Sequence, residues 1–229
     1  MKKQVVITGG NQGIGEALVK IFNDNDYQVI SLDIDKPVQP FRGVIYEQVD
    51  IRDYDALLSI ASKYENIDVL VNNAAKQYIA PLKEQDINNV KEMIDVNIMG
   101  TLNVTKAFLP KLNAGLIINI GSVHAENVRV NKIPYDMGKA ALRMLTKELA
   151  LELEKDQIRT LCVEFGAVKT PMNDNFENEE DLRKALDKQV IKHLLTSQEC
   201  ASMVFELTKE PFKYMDGNVI QLDCCRSLK

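Results

Sequence analysis

Tyr135 and Lys139 stand four residues apart in the run Tyr-Asp-Met-Gly-Lys, at the head of an apolar repeat with helical spacing. Positions i and i+4 share one face of a helix, so the phenol and the ammonium point the same way. A free tyrosine, with a pKa near ~10, is a poor base at neutral pH, and a nearby cation favours its phenolate. Such a pair can exchange a proton with a hydroxyl or carbonyl oxygen. Taken alone, an exposed helix face that happens to carry both residue types is the stronger reading. Ser122 changes the balance. It lies 13 residues before Tyr135, just past the end of a buried apolar run at 116–120. Open α/β sheets bind ligands at that end of their strands.

A second stretch is suited to holding an anion. It runs from Gln4 to Gly15, QVVITGGNQGIG. Residues 5–8 form a short β-branched apolar run, which predicts a buried strand. Gly9, Gly13 and Gly15 follow at the spacing G-x-x-x-G-x-G, and then Ala17, Leu18, Ile21 and Phe22 recur at helical spacing. The glycines thus occupy a strand-to-helix turn. There a helix N-terminus offers unpaired N–H groups, and the missing Cβ atoms allow a phosphate to approach. An ordinary tight turn would carry the same glycines. The next predicted strand, 27–33, ends in Asp33, 20 residues beyond Gly13. That is the separation at which a dinucleotide fold sets a carboxylate on the adenine ribose. Together the two signals predict a nicotinamide dinucleotide site.

The elements needed to position these groups are legible along the chain. Strands are predicted at 44–49, 67–72, 116–120, 158–165 and 218–223, and helices at 53–64, 86–112, 135–154 and 197–209. Ile94, Ile98, Leu102, Thr105 and Leu109 are placed on one face of the second of these helices, and Ala141, Leu142, Leu145, Leu149 and Leu153 form the stripe of the third. Residues 173–189 are charged and only loosely amphipathic, which predicts a mobile helical segment. Alternating strands and helices imply a parallel sheet covered on both faces. The expectation is a doubly wound Rossmann fold of about seven strands, as a single domain over 1–229.

Composition narrows the function. The chain has 229 residues, 45% of them hydrophobic, and a formal charge of −5. A mildly acidic chain without a basic stripe argues against nucleic acid as a partner. No apolar run is long enough to span a membrane, and the N-terminus leads straight into the first strand, so a cytoplasmic protein is expected. Cys162, Cys200, Cys224 and Cys225 show no metal-ligand spacing, and there are only two histidines. The four read as reduced thiols, and no metal is expected.

With TGGNQGIG, Asn72-Asn-Ala-Ala75, Ser122 and Tyr-x-x-x-Lys in order, the sequence resembles the short-chain dehydrogenase/reductase family from Val5 to Asp223. The resemblance implies hydride transfer between a nicotinamide and an alcohol or carbonyl. It makes Tyr135 the group that exchanges the substrate proton and Ser122 the hydrogen-bond partner of the reacting oxygen. Lys139 would hold the nicotinamide ribose and tune Tyr135, and Asn97 would orient a water that relays protons to the lysine. Gly9, Asn11, Gln12 and Ile14 match the lining of ribose and pyrophosphate. Asp50 and Ile51 match the pair that brackets adenine, Asn73 and Ala74 the segment along the adenosine ribose, and Val168 and Thr170 the contacts to the nicotinamide amide. Four positions depart from the family pattern. Ala75 and Phe165 replace a glycine and a proline, Cys224-Cys225 stands where two glycines are usual, and the segment after Thr170 is short.

Asp33, with Asp35 close behind, would repel a 2′-phosphate, which predicts NAD rather than NADP. The linker from Ser122 to Tyr135 is mostly polar, with His124, Glu126, Asn127, Arg129 and Lys132 as candidate substrate contacts. His124 is the foremost of them, and the expected substrate is a small sugar, polyol or hydroxy acid. The Ser-Val-His start also resembles sugar-oxidising members of the family. The two long helices carry Val104, Phe108 and Met144 beyond one stripe, and the resemblance implies pairing through them into a homodimer or homotetramer. A dinucleotide-sensing protein without catalysis is the alternative. It would have no need of Ser122, Tyr135 and Lys139 together. Epimerisation or dehydration on the same fold is the third reading, and the family members that do so are generally longer.

Overall fold

The computed structural model describes residues 2–173 and 179–228. Seven strands form one parallel sheet: β1 (Gln4–Thr8), β2 (Gln28–Asp33), β3 (Ile45–Gln48), β4 (Ile67–Asn72), β5 (Leu112–Ser122), β6 (Arg159–Phe165) and β9 (Asn218–Leu222). Their order is β3-β2-β1-β4-β5-β6-β9, so the winding reverses between β1 and β4. In β1 the side chains alternate. Val5 and Ile7 join one core and Val6 the other. The first core packs the sheet against α1 (Gly13–Asp24) and α7 (Ser197–Glu206) through Leu18, Phe22, Val204 and Phe205. The second packs it against α2 (Tyr54–Ala61), α4 (Thr101–Phe108) and α5 (Ile133–Glu152) through Leu57, Val104, Phe108 and Leu149. This is the doubly wound Rossmann arrangement, with a crevice beyond the strand ends where the winding reverses.

The long helix expected at 86–112 is divided. After α3 (Ile87–Ile94) comes a wide π turn, Asp95–Gly100, and α4 then ends at Phe108, so that Leu112 opens β5. A wide turn inserts a residue into the 3.6-residue period and shifts every later position around the axis. The expected stripe therefore breaks. Leu102 is exposed, while Val104, Thr105 and Phe108 face the core. Val104 and Phe108 are thus core residues, and the assembly argument drawn from them is corrected. Met144 is 57% exposed and keeps its outward position.

A second, two-stranded parallel sheet was not expected from the sequence. Val168–Lys169 (β7) pairs with Leu195–Thr196 (β8), closing the base of the excursion that contains α6 (Glu179–Asp187). The part of the 173–189 expectation at 174–178 lies outside the described residues. Thr196 starts α7 with a reciprocal capping box to Glu199. Cys162 and Cys200 are buried and Cys224 and Cys225 are half-buried, all four as free thiols. Among the described residues no helix is long and apolar enough to cross a membrane.

Candidate functional site

One cavity of about 620 Å³ runs along the C-terminal edge of the sheet. At its floor the chain leaves β1 and turns into α1. Gly9 and Gly13 take left-handed conformations, with φ of +64° and +58°. A Cβ on Gly9 would lie 2.9 Å from Ala74 Cα, so the turn and the end of β4 touch backbone to backbone. Asn73 fastens them, its Nδ2 donating to the carbonyls of Thr8 and Gly9 at 3.0 Å each. Gln12, Gly13 and Ile14 line the cavity, and α1 has no side-chain cap, so its first N–H groups face the space in which a pyrophosphate would lie. Thr170 stands opposite, its Cβ 3.7 Å from where a Cβ on Gly13 would be.

Asp33 ends β2 beneath this turn and is 8% exposed. Its Oδ2 accepts from the Asn11 N–H at 3.0 Å and its Oδ1 from the Asp35 N–H at 3.1 Å. Each oxygen retains acceptor capacity toward the cavity, which suits a ribose diol. The residues present therefore fit a dinucleotide. Ile51, Asn73, Ala74 and Val168 also line the space, and Asp50 does so while paired with Arg52. That pairing holds the Asp50 carboxyl below its ordinary range. Asn11 and Gly15 do not line it. Asn11 braces β2 through Ser31 and the Asp35 carbonyl, and Gly15 makes room for the carbonyl of Gly9.

The other end of the cavity brings Ser122, Tyr135 and Lys139 together. Ser122 closes β5, its hydroxyl near enough to the Tyr135 phenol to draw its pKa down. Its Oγ also accepts from the His124 N–H at 3.2 Å. Lys139 is 3% exposed, its Nζ donating to the Ile120 carbonyl at 2.7 Å and lying 5.7 Å from the Tyr135 ring centre. Burial lowers this ammonium to about 8, with Cys162 and Glu164 opposing the shift. Tyr135 corrects an expectation. Burial pushes its phenol up to about 12, Ser122 pulling it down and Asp136 adding to the rise. Desolvation of the phenolate is the leading cause, and the buried Lys139 does not offset it.

Asn97 sits in the wide π turn, 1% exposed and outside the cavity lining. Its amide is committed to the backbone of Lys76, accepting at 2.7 Å and donating at 2.8 Å. It packs under Gly138, where a Cβ would lie 3.3 Å from its own. Of the linker candidates, His124, Arg129 and Lys132 line the cavity. Glu126 turns away to Arg143, which also forks onto the fully buried Glu164 at 2.8 Å. Asn127 is exposed and lies outside the lining. The sequence reading missed Gln77 and Arg226. Arg226 arrives from the far end of the chain on a turn held by Asp223, and no local pattern marked it.

A glycine turn, an acid ending the second strand and a Ser–Tyr–Lys group on one crevice define a dinucleotide-binding α/β protein of the Rossmann type. The chain belongs to the short-chain dehydrogenase family, a family of oxidoreductases that bind nicotinamide dinucleotides: the model described as short chain dehydrogenase matches residues 3–181. Among its relatives, D-xylose 1-dehydrogenase of Caulobacter vibrioides is 29% identical over 237 residues, covering 96% of this chain and 94% of that protein. L-fucose dehydrogenase of Mus musculus is 33% identical over 182 residues, covering 74% of this chain and 67% of that protein. Aldohexose dehydrogenase of Thermoplasma acidophilum superposes with a TM-score of 0.91 at 25% identity, covering 100% of this chain and 95% of that one.

Proposed function

We propose that this protein is an NAD(H)-dependent oxidoreductase acting on a small polar alcohol or carbonyl compound, with Tyr135 as its acid–base group. The observation that carries the reading is one cavity bordered by the glycine turn, Asp33, Ser122, Tyr135 and Lys139. When bound, the dinucleotide accepts or donates the hydride. Ser122 and Tyr135 hold the reacting oxygen. With its phenol at about 12, Tyr135 is protonated at neutral pH and gives its proton to an oxygen gaining charge. In the opposite direction Tyr135 must first release its proton, and the phenolate then takes the proton of the substrate hydroxyl. Lys139 spends one N–H on Ile120 and keeps two for the nicotinamide ribose. Asn97 serves as a positioning residue, holding Lys76 against the start of α5.

Asp33 and Asp35 both border the adenosine end, where they favour NAD over NADP by repelling a 2′-phosphate. Arg52 and Lys76, the cations bordering that end, are engaged with Asp50 and Glu92. The names of the xylose and fucose relatives support a sugar-like substrate. Exposed Met99, Leu102, Met137 and Met144 support a homodimer or homotetramer through α4 and α5. Light scattering at micromolar concentration tests the assembly, and a monomer mass would remove it. The test of function is NAD(H)-linked turnover of sugars, polyols and hydroxy acids by the wild type and Tyr135→Phe. Turnover should fall by about 10²–10⁴-fold in the variant, with NADH affinity kept. Near-normal turnover in Tyr135→Phe would refute the assignment.

A further inference from the structure

We propose that the substrate carries a carboxylate, and that Arg129 and Lys132 clamp it beside Tyr135. This deepens the oxidoreductase reading and rests on it, narrowing the substrate to a short hydroxy acid or its oxo form.

The charges on the cavity wall are unevenly shared. Asp33, Asp35, Asp50 and Glu92 border the adenosine end together with the cations Arg52 and Lys76, while Arg129, Lys132, Lys139 and Arg226 border the other. Three acids of the first group are engaged: Asp50 holds Arg52, Glu92 is joined to Lys76, and Asp33 accepts two backbone N–H groups. The cations of the second group lack an equal number of acids. Lys132 donates to a neutral amide, Gln77 Oε1, at 2.9 Å, and its Nζ lies 5.5 Å from the Tyr135 ring centre. Among the described residues the Arg129 side chain makes no hydrogen bond to a carboxylate; its backbone N–H donates to Asp136 Oδ2 at 3.0 Å.

Among the described residues Asp136 is the single carboxylate facing both cations. Glu126, the other acid of the same loop, is taken by Arg143. His124 adds no charge at neutral pH. Burial, Lys132 and Arg129 together hold its imidazole down at about 4. The group around Tyr135 therefore carries a surplus positive charge. Arg129 and Lys132 are both half-buried, and burial works against their charged forms. A partly dehydrated cation without a partner is costly, and an incoming carboxylate relieves that cost. The guanidinium fork matches a carboxylate in two parallel hydrogen bonds. Because Lys132 stands directly over the Tyr135 ring, the anion it holds sits close to the reacting carbon. That geometry suits 2- and 3-hydroxy acids. A neutral aldose would leave the surplus charge unpaired. Arg226 adds a further positive charge to the same wall, its guanidinium donating to the Ala185 carbonyl at 3.3 Å.

The test has a kinetic arm and a binding arm. Short 2- and 3-hydroxy acids, their methyl esters, D-xylose and L-fucose are assayed with NAD. The acids should exceed their esters and the aldoses by about 100-fold in kcat/KM, and Arg129→Gln should lower kcat/KM for the acids by about 30–100-fold, mainly through KM. Arg129→Lys should restore part of the loss. In the binding arm malonate, which cannot react, is titrated into the NADH complex and followed by cofactor fluorescence. Saturable binding is expected in the wild type and in Tyr135→Phe, about 10-fold or more weaker in Arg129→Gln and Lys132→Gln, with melting curves showing that each variant is folded. Esters or aldoses turned over as well as acids, or malonate bound equally by all variants, would overturn the clamp. Malonate binding lost in Arg129→Gln without turnover of any compound would support the clamp and count against the oxidoreductase reading. Turnover of aldoses without malonate binding would do the reverse.

Discussion

Replacing Gly15 with alanine would put a methyl carbon 1.8 Å from the Gly9 carbonyl oxygen and 2.7 Å from Asn73 Nδ2. Ordinary carbon–oxygen contact begins at roughly 3.3 Å, so the turn and the helix must part by about 1.5 Å. That movement breaks the fastening of the turn, two hydrogen bonds of 3.0 Å from Asn73 to Thr8 and Gly9. At about 1 kcal/mol for each bond, and about 1–3 kcal/mol for overpacking, the substitution costs about 3–5 kcal/mol. In a chain of this size each kcal/mol shifts Tm by about 2–4 °C, so Gly15→Ala should melt about 6–20 °C lower. Gly13→Ala is the matched comparison. Its Cβ would meet nothing nearer than 3.7 Å, and its positive φ costs about 1–2 kcal/mol. Its methyl, however, points across the cavity at Thr170. Gly13→Ala should therefore lose only a few degrees of Tm while NADH binding weakens by about 10-fold or more. Differential scanning fluorimetry and NADH fluorescence titration read the two effects separately. A wild-type Tm for Gly15→Ala, or wild-type NADH affinity for Gly13→Ala, would refute the reasoning.

Three further outcomes are expected. NADH should bind the wild type more tightly than NADPH, by about 10-fold or more, and Asp33→Ser should narrow the gap; equal titration curves for the two cofactors on the wild type would end the NAD assignment. His124 has a folded pKa of about 4 against an ordinary 6.5, so between these values the unfolded chain binds the extra proton. The stability due to neutral His124 is present above about 6.5 and is lost as the pH falls toward 4, on the order of 3 kcal/mol in all, with Asp136, whose carboxyl burial raises, acting in the opposite sense. His124→Asn should flatten the fall of Tm over that range, and an unchanged slope would contradict the assignment. Cys224 and Cys225 both hold left-handed conformations, with φ of +55° and +57°. Glycine at either position should raise Tm by a few degrees, since a side chain there costs about 1–2 kcal/mol; a lower Tm for both single variants would show that thiol packing outweighs strain.

The departures at 224–225 show how far local pattern reaches. The absence of the usual glycines was visible in the chain, but the strained backbone that makes their absence matter was not. The same boundary runs through the helical region after Asp86. Its apolar period marked a helix, yet the wide turn at Asp95–Gly100 reset the phase and carried Val104 and Phe108 into the core. Within the site, the glycine turn, Asp33, Ser122, Tyr135 and Lys139 were all readable, because strand alternation, helical period and fixed spacings are properties of neighbouring residues. The choice among linker side chains was not. His124, Arg129 and Lys132 turned inward and Glu126 outward, because Arg143 on α5, itself anchored by Glu164 on β6, claims Glu126 in an ion pair.

Sequence alone determined the class of fold and the order of the seven main strands, and it marked the candidate reacting groups, since each is written in short-range periodicity and residue chemistry. Tertiary structure alone decided which groups share one cavity, the arrival there of Arg226 from the chain's last turn, and the upward shift of the Tyr135 phenol. Those properties depend on burial and on distances between residues far apart in the chain, and no local pattern encodes them.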